Sequence, residues 1–264
     1  MRFDVITLFP ELFAPFLSAG INRRAFETGA VELKLWQLRD YADGTYRRVD
    51  DRPFGGGPGM VMLAEPLEKC LQAIRHDRAL KNPYEKPVPV VLFSPIGQPL
   101  NHAGVEEWSQ SDGAILICGR YEGLDQRFID AHVDVQISLG DFVLSGGEIA
   151  AIALLDAVAR LQPGVLNDEG SHQMDSFNPA LDGLLDCGHF TRPEVWKDLT
   201  VPPVLMSGHH AEIAKWRRQQ SLVLTQKYRP DLIEGARLAG KLSTQDENFL
   251  FSLSASGLVE FKSN

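Results

Sequence analysis

Three glycine-bearing segments each follow an apolar, β-branched run. They are Ser94-Pro95-Ile96-Gly97, Gly119-Arg120-Tyr121-Glu122-Gly123 and Ser138-Leu139-Gly140-Asp141-Phe142-Val143-Leu144-Ser145-Gly146-Gly147. One such segment reads as a tight turn where only glycine fits. Three, each just after a strand, point to a ligand held largely by main-chain N–H and C=O groups. That chemistry suits an adenosine-containing molecule whose base and sugar are read by the backbone. None of the three matches G-x-G-x-x-G, so the dinucleotide fingerprint is missing, and none contains G-K-[ST], so no phosphate-cradling loop is present.

The stretch Asp50-Asp51-Arg52-Pro53-Phe54-Gly55-Gly56-Gly57-Pro58-Gly59-Met60 is of another kind. Its four glycines permit positive φ and close approach of a second backbone, while its prolines limit its freedom. Lys215, Arg217 and Arg218 lie within one helical turn around Trp216. Such a cluster is either a solvated helix face or a phosphate-contacting one. Cys187, His189, His209 and His210 do not have the spacing of a zinc site, and no metal ligands are assigned.

The elements that must carry these residues alternate in type. Arg2 to Leu8, Val31 to Leu38, Val88 to Phe93, Ala114 to Cys118 and Val133 to Ile137 read as strands. Between them, helical patterns cover Glu11 to Ala19 (stopped by Gly20), Ala64 to His76, Asn101 to Ser109 and Leu124 to Ala131. Gly146 to Leu161 is a strong helix, with Ile149, Ile152, Leu155 and Val158 at core spacing. Arg39 to Gly59 has neither period, and a stretch that long is usually functional. Strands alternating with helices, the strand runs apolar throughout, predict an α/β domain over 1–161 with a buried, mainly parallel sheet. Residues 162–177, poor in apolar types, read as a flexible interdomain linker. The remainder, 178–264, reads as a helical domain, with helices at Ser207 to Lys227, Asp231 to Ala239 and Thr244 to Ser254.

The chain has 264 residues, 44% hydrophobic and 23% charged, an ordinary globular mix. The net charge of -9 argues against a protein that coats nucleic acid without specificity. The excess sits in residues 1–177; residues 178–264 are neutral, so the C-terminal third does not repel a polyanion. No apolar run reaches the roughly 20 residues of a membrane span, and no signal peptide is evident. Cys70, Cys118 and Cys187 are few and scattered, which predicts a reducing, cytoplasmic setting without a disulfide framework.

Several of these stretches together resemble the bacterial tRNA (guanine-N1)-methyltransferase family of the SPOUT superfamily. The matching segments are Ile6-Thr7-Leu8-Phe9-Pro10, Val49 to Met60, Cys118 to Gly123, Gly140 to Glu148, Asp175-Ser176-Phe177, His189 to Val195 and Leu205 to His210. They run in order over nearly the whole chain. The resemblance implies a Rossmann-like sheet whose C-terminal part is tied into a trefoil knot, whereas general rules favour an unknotted one. It also implies S-adenosyl-L-methionine as methyl donor, help from Mg2+, and transfer to N1 of the guanosine at position 37 of tRNA. A homodimer with the active site shared between chains is implied as well.

Carried over by resemblance, the donor site falls on Gly119, Leu139, Gly140, Asp141, Phe142, Val143 and Leu144, with Ser94, Pro95, Tyr121, Glu122, Ser138, Gly146 and Gly147 around it. Phe142 stands where family members often have Tyr, and Met174 where an acidic residue is common. Asp175 matches the general base, and Arg160 the cation that steadies the charge on guanine O6. Without the resemblance, Asp175 reads as a linker aspartate capping the next helix, and Arg160 as a cation at a helix C-terminus. Asp50 and Gly59 belong to the loop expected at the anticodon, and Lys215, Arg217 and Arg218 are expected on phosphates. Two rival readings are a nucleotide-dependent small-molecule enzyme, which the missing fingerprint glycines disfavour, and an RNA-binding protein without catalysis, which Asp175 and Arg160 disfavour.

Overall fold

The computed structural model describes residues 1–84, 86–166 and 171–255. The chain divides into two compact units, Met1–Asn167 and Asp168–Asn264. No helix among the described residues is long and apolar enough to cross a membrane.

The first unit begins with β1 (Arg2–Thr7), buried along its whole length, and continues through α1 (Ala14–Ser18) and α2 (Gly20–Glu27) to β2 (Glu32–Gln37). Gly20, expected only as a stop, adopts φ +65 and also opens α2. Two short strands, β3 (Asp50–Asp51) and β4 (Val61–Met62), pair antiparallel and close the base of the glycine-rich loop. Then follow α3 (Ala64–Lys81), β5 (Val90–Pro99), α4 (His102–Ser109), β6 (Gly113–Ile117), α5 (Gln126–His132), β7 (Val135–Ser138) and α6 (Glu148–Ala159). The five long strands form one sheet in the order β2-β1-β6-β5-β7, all neighbours parallel.

Alternation along the strands builds two cores. On β1, Phe3 and Val5 face one side; on β6, Ala114 and Leu116 join them against Leu154, Leu155 and Val158 of α6. Ile6, Ile115 and Ile117 face the other side, against Leu67, Leu71 and Ile74 of α3 and Phe128 of α5. This period-2 division of a parallel sheet between helices on both faces is the reason the central strand β6 is apolar on both sides. Ile149, predicted to be in the core, is 55% exposed; the buried face of α6 runs instead through Ala150, Ala151, Leu154, Leu155 and Val158.

Asp4 is a buried charge on β1, and it is fully paired. It accepts from Arg2 Nη2 at 2.6 Å, Arg78 Nη1 at 2.6 Å and Trp36 Nε1 at 2.8 Å. A buried carboxylate survives only with such partners. Asp77 extends the network, accepting from Arg2 at 2.7 Å and Lys34 at 2.7 Å.

The first unit runs past the expected boundary at Leu161. Val165 is fully buried in its core, and Gln162 Nε2 donates to the Ser109 carbonyl at 3.0 Å. Of the expected linker, residues 167–170 lie outside the described residues, as do 256–264 of the C-terminal segment.

In the second unit, the hairpin of β8 (Val195–Trp196) and β9 (Leu199–Thr200) precedes α7 (His210–Tyr228), α8 (Pro230–Leu238) and α9 (Thr244–Ala255). The hairpin was not anticipated: its strands are only two residues long, too short for a period to register. Leu184, Leu222, Ile233, Ala236, Leu250 and Leu253 make this unit's core.

Candidate active site

A cavity of about 400 Å3 opens at the carboxyl ends of β5, β6 and β7, where parallel sheets hold ligands. Three walls form it. The first is not the tight turn that Ser94-Pro95-Ile96-Gly97 suggested. It is a bulge inside β5, where pairing with β7 jumps from Phe93 to Gln98 and both strands continue. Such a bulge turns side chains out of the sheet, and Ser94, Pro95 and Ile96 line the cavity. The second wall is the loop after β6, with Gly119, Tyr121 and Glu122; Tyr121 takes φ 60, the left-handed region. The third is the loop after β7. Ser138, Leu139, Gly140, Phe142, Val143, Leu144, Gly146 and Gly147 all contribute. Ser138 Oγ accepts from the Gly140 N–H at 3.1 Å and donates to the Gly140 carbonyl at 3.2 Å, which fixes the start of that loop.

Asp141 is exposed and does not line the cavity. The turn in which the Phe142 N–H donates to the Gly140 carbonyl at 2.9 Å accounts for the difference, because it presents the two flanking residues instead. Arg120, Gln126, Ile129, Gln136 and Ala150 line the cavity without having been foreseen. Arg120 belongs to the glycine-bearing segment Gly119 to Gly123, but a cation has no obvious place beside an adenosine-containing molecule. The rest belong to helix or strand patterns that signal only packing.

The glycine-rich loop meets this site. The Glu122 N–H donates to the Met60 carbonyl at 2.9 Å, and the Met62 N–H to the Gly123 carbonyl at 2.9 Å. At Gly59, with φ +81, a Cβ would lie 2.3 Å from the Glu122 carboxylate. Glycine is required there by backbone and neighbour together. Asp50, half-buried, pairs across β3–β4 with Met62, so its backbone is fixed at the base of the loop.

Arg160 caps the C-terminus of α6, its N–H donating to the Asp156 carbonyl at 3.2 Å. Gly147 and Ala150, at the other end of the same helix, line the cavity. At 1.5 Å per residue, Arg160 stands roughly 15–20 Å along the helix from them. The structure therefore does not bring Arg160 to the cavity of its own chain.

Within the second unit, Asp175 is half-buried and follows a 3-10 turn over Ser171–Met174. The helical turn after it is capped by Asn178, whose side chain accepts from the Ala180 N–H at 2.9 Å. The capping role considered for Asp175 thus belongs to Asn178. Lys215 and Arg217 are exposed on α7. Arg218, also expected on a phosphate, is instead engaged within the chain, held by Asp182 at 2.8 Å and Asp246 at 3.0 Å. Those carboxylates raise its pKa, through the Asp246 hydrogen bond above all.

Among the described residues, Asp186, Cys187 and His189 bring one ligand atom each within 4.8 Å of one another. Burial and the adjoining Asp186 push the Cys187 thiol up. A thiol and an imidazole suit a softer ion than Mg2+, which takes oxygen ligands. This group does not fit Mg2+.

The sequence model of the family described as "tRNA (Guanine-1)-methyltransferase TrmD" matches residues 1–235. A protein of Polaromonas sp. (strain JS666 / ATCC BAA-500) named tRNA (guanine-N(1)-)-methyltransferase is 71% identical over 96% of this chain and 97% of its own length. Proteins of the same name from Paracidovorax citrulli and Bordetella pertussis are 68% and 54% identical, each over 96% of this chain and 98% of their own lengths.

Proposed function

The chain belongs to the tRNA (guanine-1)-methyltransferase family of the SPOUT superfamily and is a methyl-transferring enzyme, and from that premise we propose that it methylates N1 of the guanosine at position 37 of tRNA. The observation that carries the reading is the cavity at the carboxyl ends of β5, β6 and β7, lined by backbone, by apolar side chains and by several polar ones. Ile96, Ile129, Ile137, Leu139 and Leu144 offer a slot for an adenine ring, and the main chain between them offers donors and acceptors. S-adenosyl-L-methionine bound there supplies a methyl group already activated on a sulfonium. We read the loops after β6 and β7 as parts of the trefoil knot.

The target nitrogen carries a proton, so its lone pair is blocked until a base removes it. Asp175 is the base: its carboxylate takes the N1 proton. Arg160 faces the negative charge that then develops on O6, an interaction worth on the order of 3 kcal/mol in a water-poor site. Alignment of the two reactants contributes the rest. The distance of Arg160 from its own chain's cavity supports a homodimer in which one chain's cavity is completed by the other's Arg160. Phe142, Val143 and Ile149, all more than half exposed beside that cavity, are apolar surface for a second copy to cover.

The guanine leaves its stack to reach the donor, as RNA and base-modifying enzymes require. We read the glycine-rich loop that holds Asp50 and Gly59 as the part that meets the anticodon, and Lys215 and Arg217 as contacts to backbone phosphates. Asp175→Ala is the test. It is expected to retain donor binding by calorimetry and to lose single-turnover methyl transfer to tRNA bearing guanosine at position 37. A normal single-turnover rate would overturn the assignment.

A further inference from the structure

We propose that Arg120, held by Glu148, is a positioning residue that sets the spacing of the two loops around the methyl donor; this rests on reading the cavity as the donor site. Glu148, the first residue of α6, is 1% exposed. A carboxylate so placed must be compensated. Oε1 accepts from Thr7 Oγ1 at 2.8 Å, and Oε2 lies 2.8 Å from Arg120 Nη2. The guanidinium has other fixed neighbours. Nη1 donates to the Ser145 carbonyl at 3.2 Å, and the guanidinium carbon sits over the Phe9 ring, 4.5 Å from its centroid. Gly146 leaves room for it: a Cβ there would come 2.2 Å from Arg120 Nε.

One side chain therefore ties together the loop after β6, the loop after β7, the start of α6 and the end of β1. These are two of the three cavity walls and their two supports. The nitrogens Nη1 and Nη2 face protein groups, so Arg120 acts as a strut. The segment Ile6-Thr7-Leu8-Phe9-Pro10, which contributes nothing to the cavity lining, gains a purpose. Thr7 holds Glu148, Phe9 covers Arg120, and the Phe9 N–H donates to Thr7 Oγ1 at 2.9 Å. Lysine could keep the charge opposite Glu148 but not the fork that reaches Ser145 as well.

The test measures S-adenosyl-L-methionine binding by calorimetry, and the KM of donor and of tRNA, for full-length Glu148→Gln, Arg120→Lys and Phe9→Ala. Misplaced walls are expected to raise donor Kd and KM about 10- to 100-fold in the first two and about threefold in Phe9→Ala, with the KM of tRNA within about twofold of wild type. Asp77→Ala, at the opposite end of the sheet, is the control: it lowers the melting temperature and leaves donor affinity unchanged. Should Glu148→Gln not fold, Arg120→Lys and Phe9→Ala carry the test, since Phe9 is 37% exposed and its truncation leaves no buried charge. Donor affinity within twofold of wild type in every folded variant overturns the positioning role, as does an equal loss in Asp77→Ala. Failure of the unaltered protein to bind donor overturns instead the reading of the cavity.

Discussion

Arg218 donates to both oxygens of Asp246, Nε to Oδ1 and Nη2 to Oδ2, each at 3.0 Å. Nη2 also donates to Asp182 at 2.8 Å, and Asp246 accepts from the Ser243 N–H and hydroxyl. A bidentate guanidinium–carboxylate pair is among the stronger polar contacts, and it joins α7 to α9 over this unit's core. Arg218→Ala leaves Asp246 buried without its cation. Chemical denaturation of the full chain is expected to register a loss of about 2 kcal/mol. An unchanged midpoint would mean the fork adds nothing to folding.

In the proposed function, unlike their neighbour Arg218, Lys215 and Arg217 take tRNA phosphates. Each is exposed, and each phosphate contact releases counterions. Lys215→Ala and Arg217→Ala are each expected to flatten the slope of log affinity for tRNA against log salt by roughly 0.7–0.9. Arg218→Lys is expected to leave it alone. Titrations at several salt concentrations separate the three residues, and equal slopes throughout would remove the phosphate role.

Acid weakens both units. In Asp77 the hydrogen bonds from Lys34, then Arg2, hold the carboxyl below its usual range. Burial would raise Asp246, but hydrogen bonds from Arg218 and Ser243 outweigh it, and the net shift is downward. A depressed carboxylate contributes stability that is complete above its unfolded pKa, about 3.9, and is lost as pH falls through the lower folded value. Stability from these groups is therefore expected to hold down to about pH 4 and to decline below it. Asp246→Asn is expected to be less stable at neutral pH and to show a shallower acid decline. Parallel acid profiles for variant and wild type would contradict this.

The thiols are expected to be inert in the folded chain. Burial pushes Cys70 up to about 12. Cys118 is raised well above its ordinary value by burial and then by the nearby Glu148 charge. Thiolate is the reactive form, so alkylation at pH 8 should label Cys70 and Cys118 only after denaturant is added. Mass spectrometry of native and unfolded samples checks it; rapid native labelling at either position would show that the core around it opens.

Much of the architecture is legible in the sequence because it follows from local rules. A short apolar run such as Ala114 to Cys118, bounded by Gly113 and Gly119, reads as a strand buried on both faces. The order of glycine segments after strands places a ligand at the carboxyl edge of the sheet before any coordinate is known. The family is likewise legible, since Asp50 to Met60, Cys118 to Gly123 and Gly140 to Glu148 are specific in combination. Three-dimensional pairing was not available to those rules. Nothing local distinguishes Arg218, locked onto Asp246 twenty-eight residues away, from Arg217 beside it, left in solvent. The bulge in β5 depends on pairing with β7, and the strut from Arg120 to Glu148 depends on Thr7, Phe9 and Gly146 arriving from distant parts of the chain. Periodicity reports which face of an element is buried; the partner of a buried charge is set only when separate elements pack.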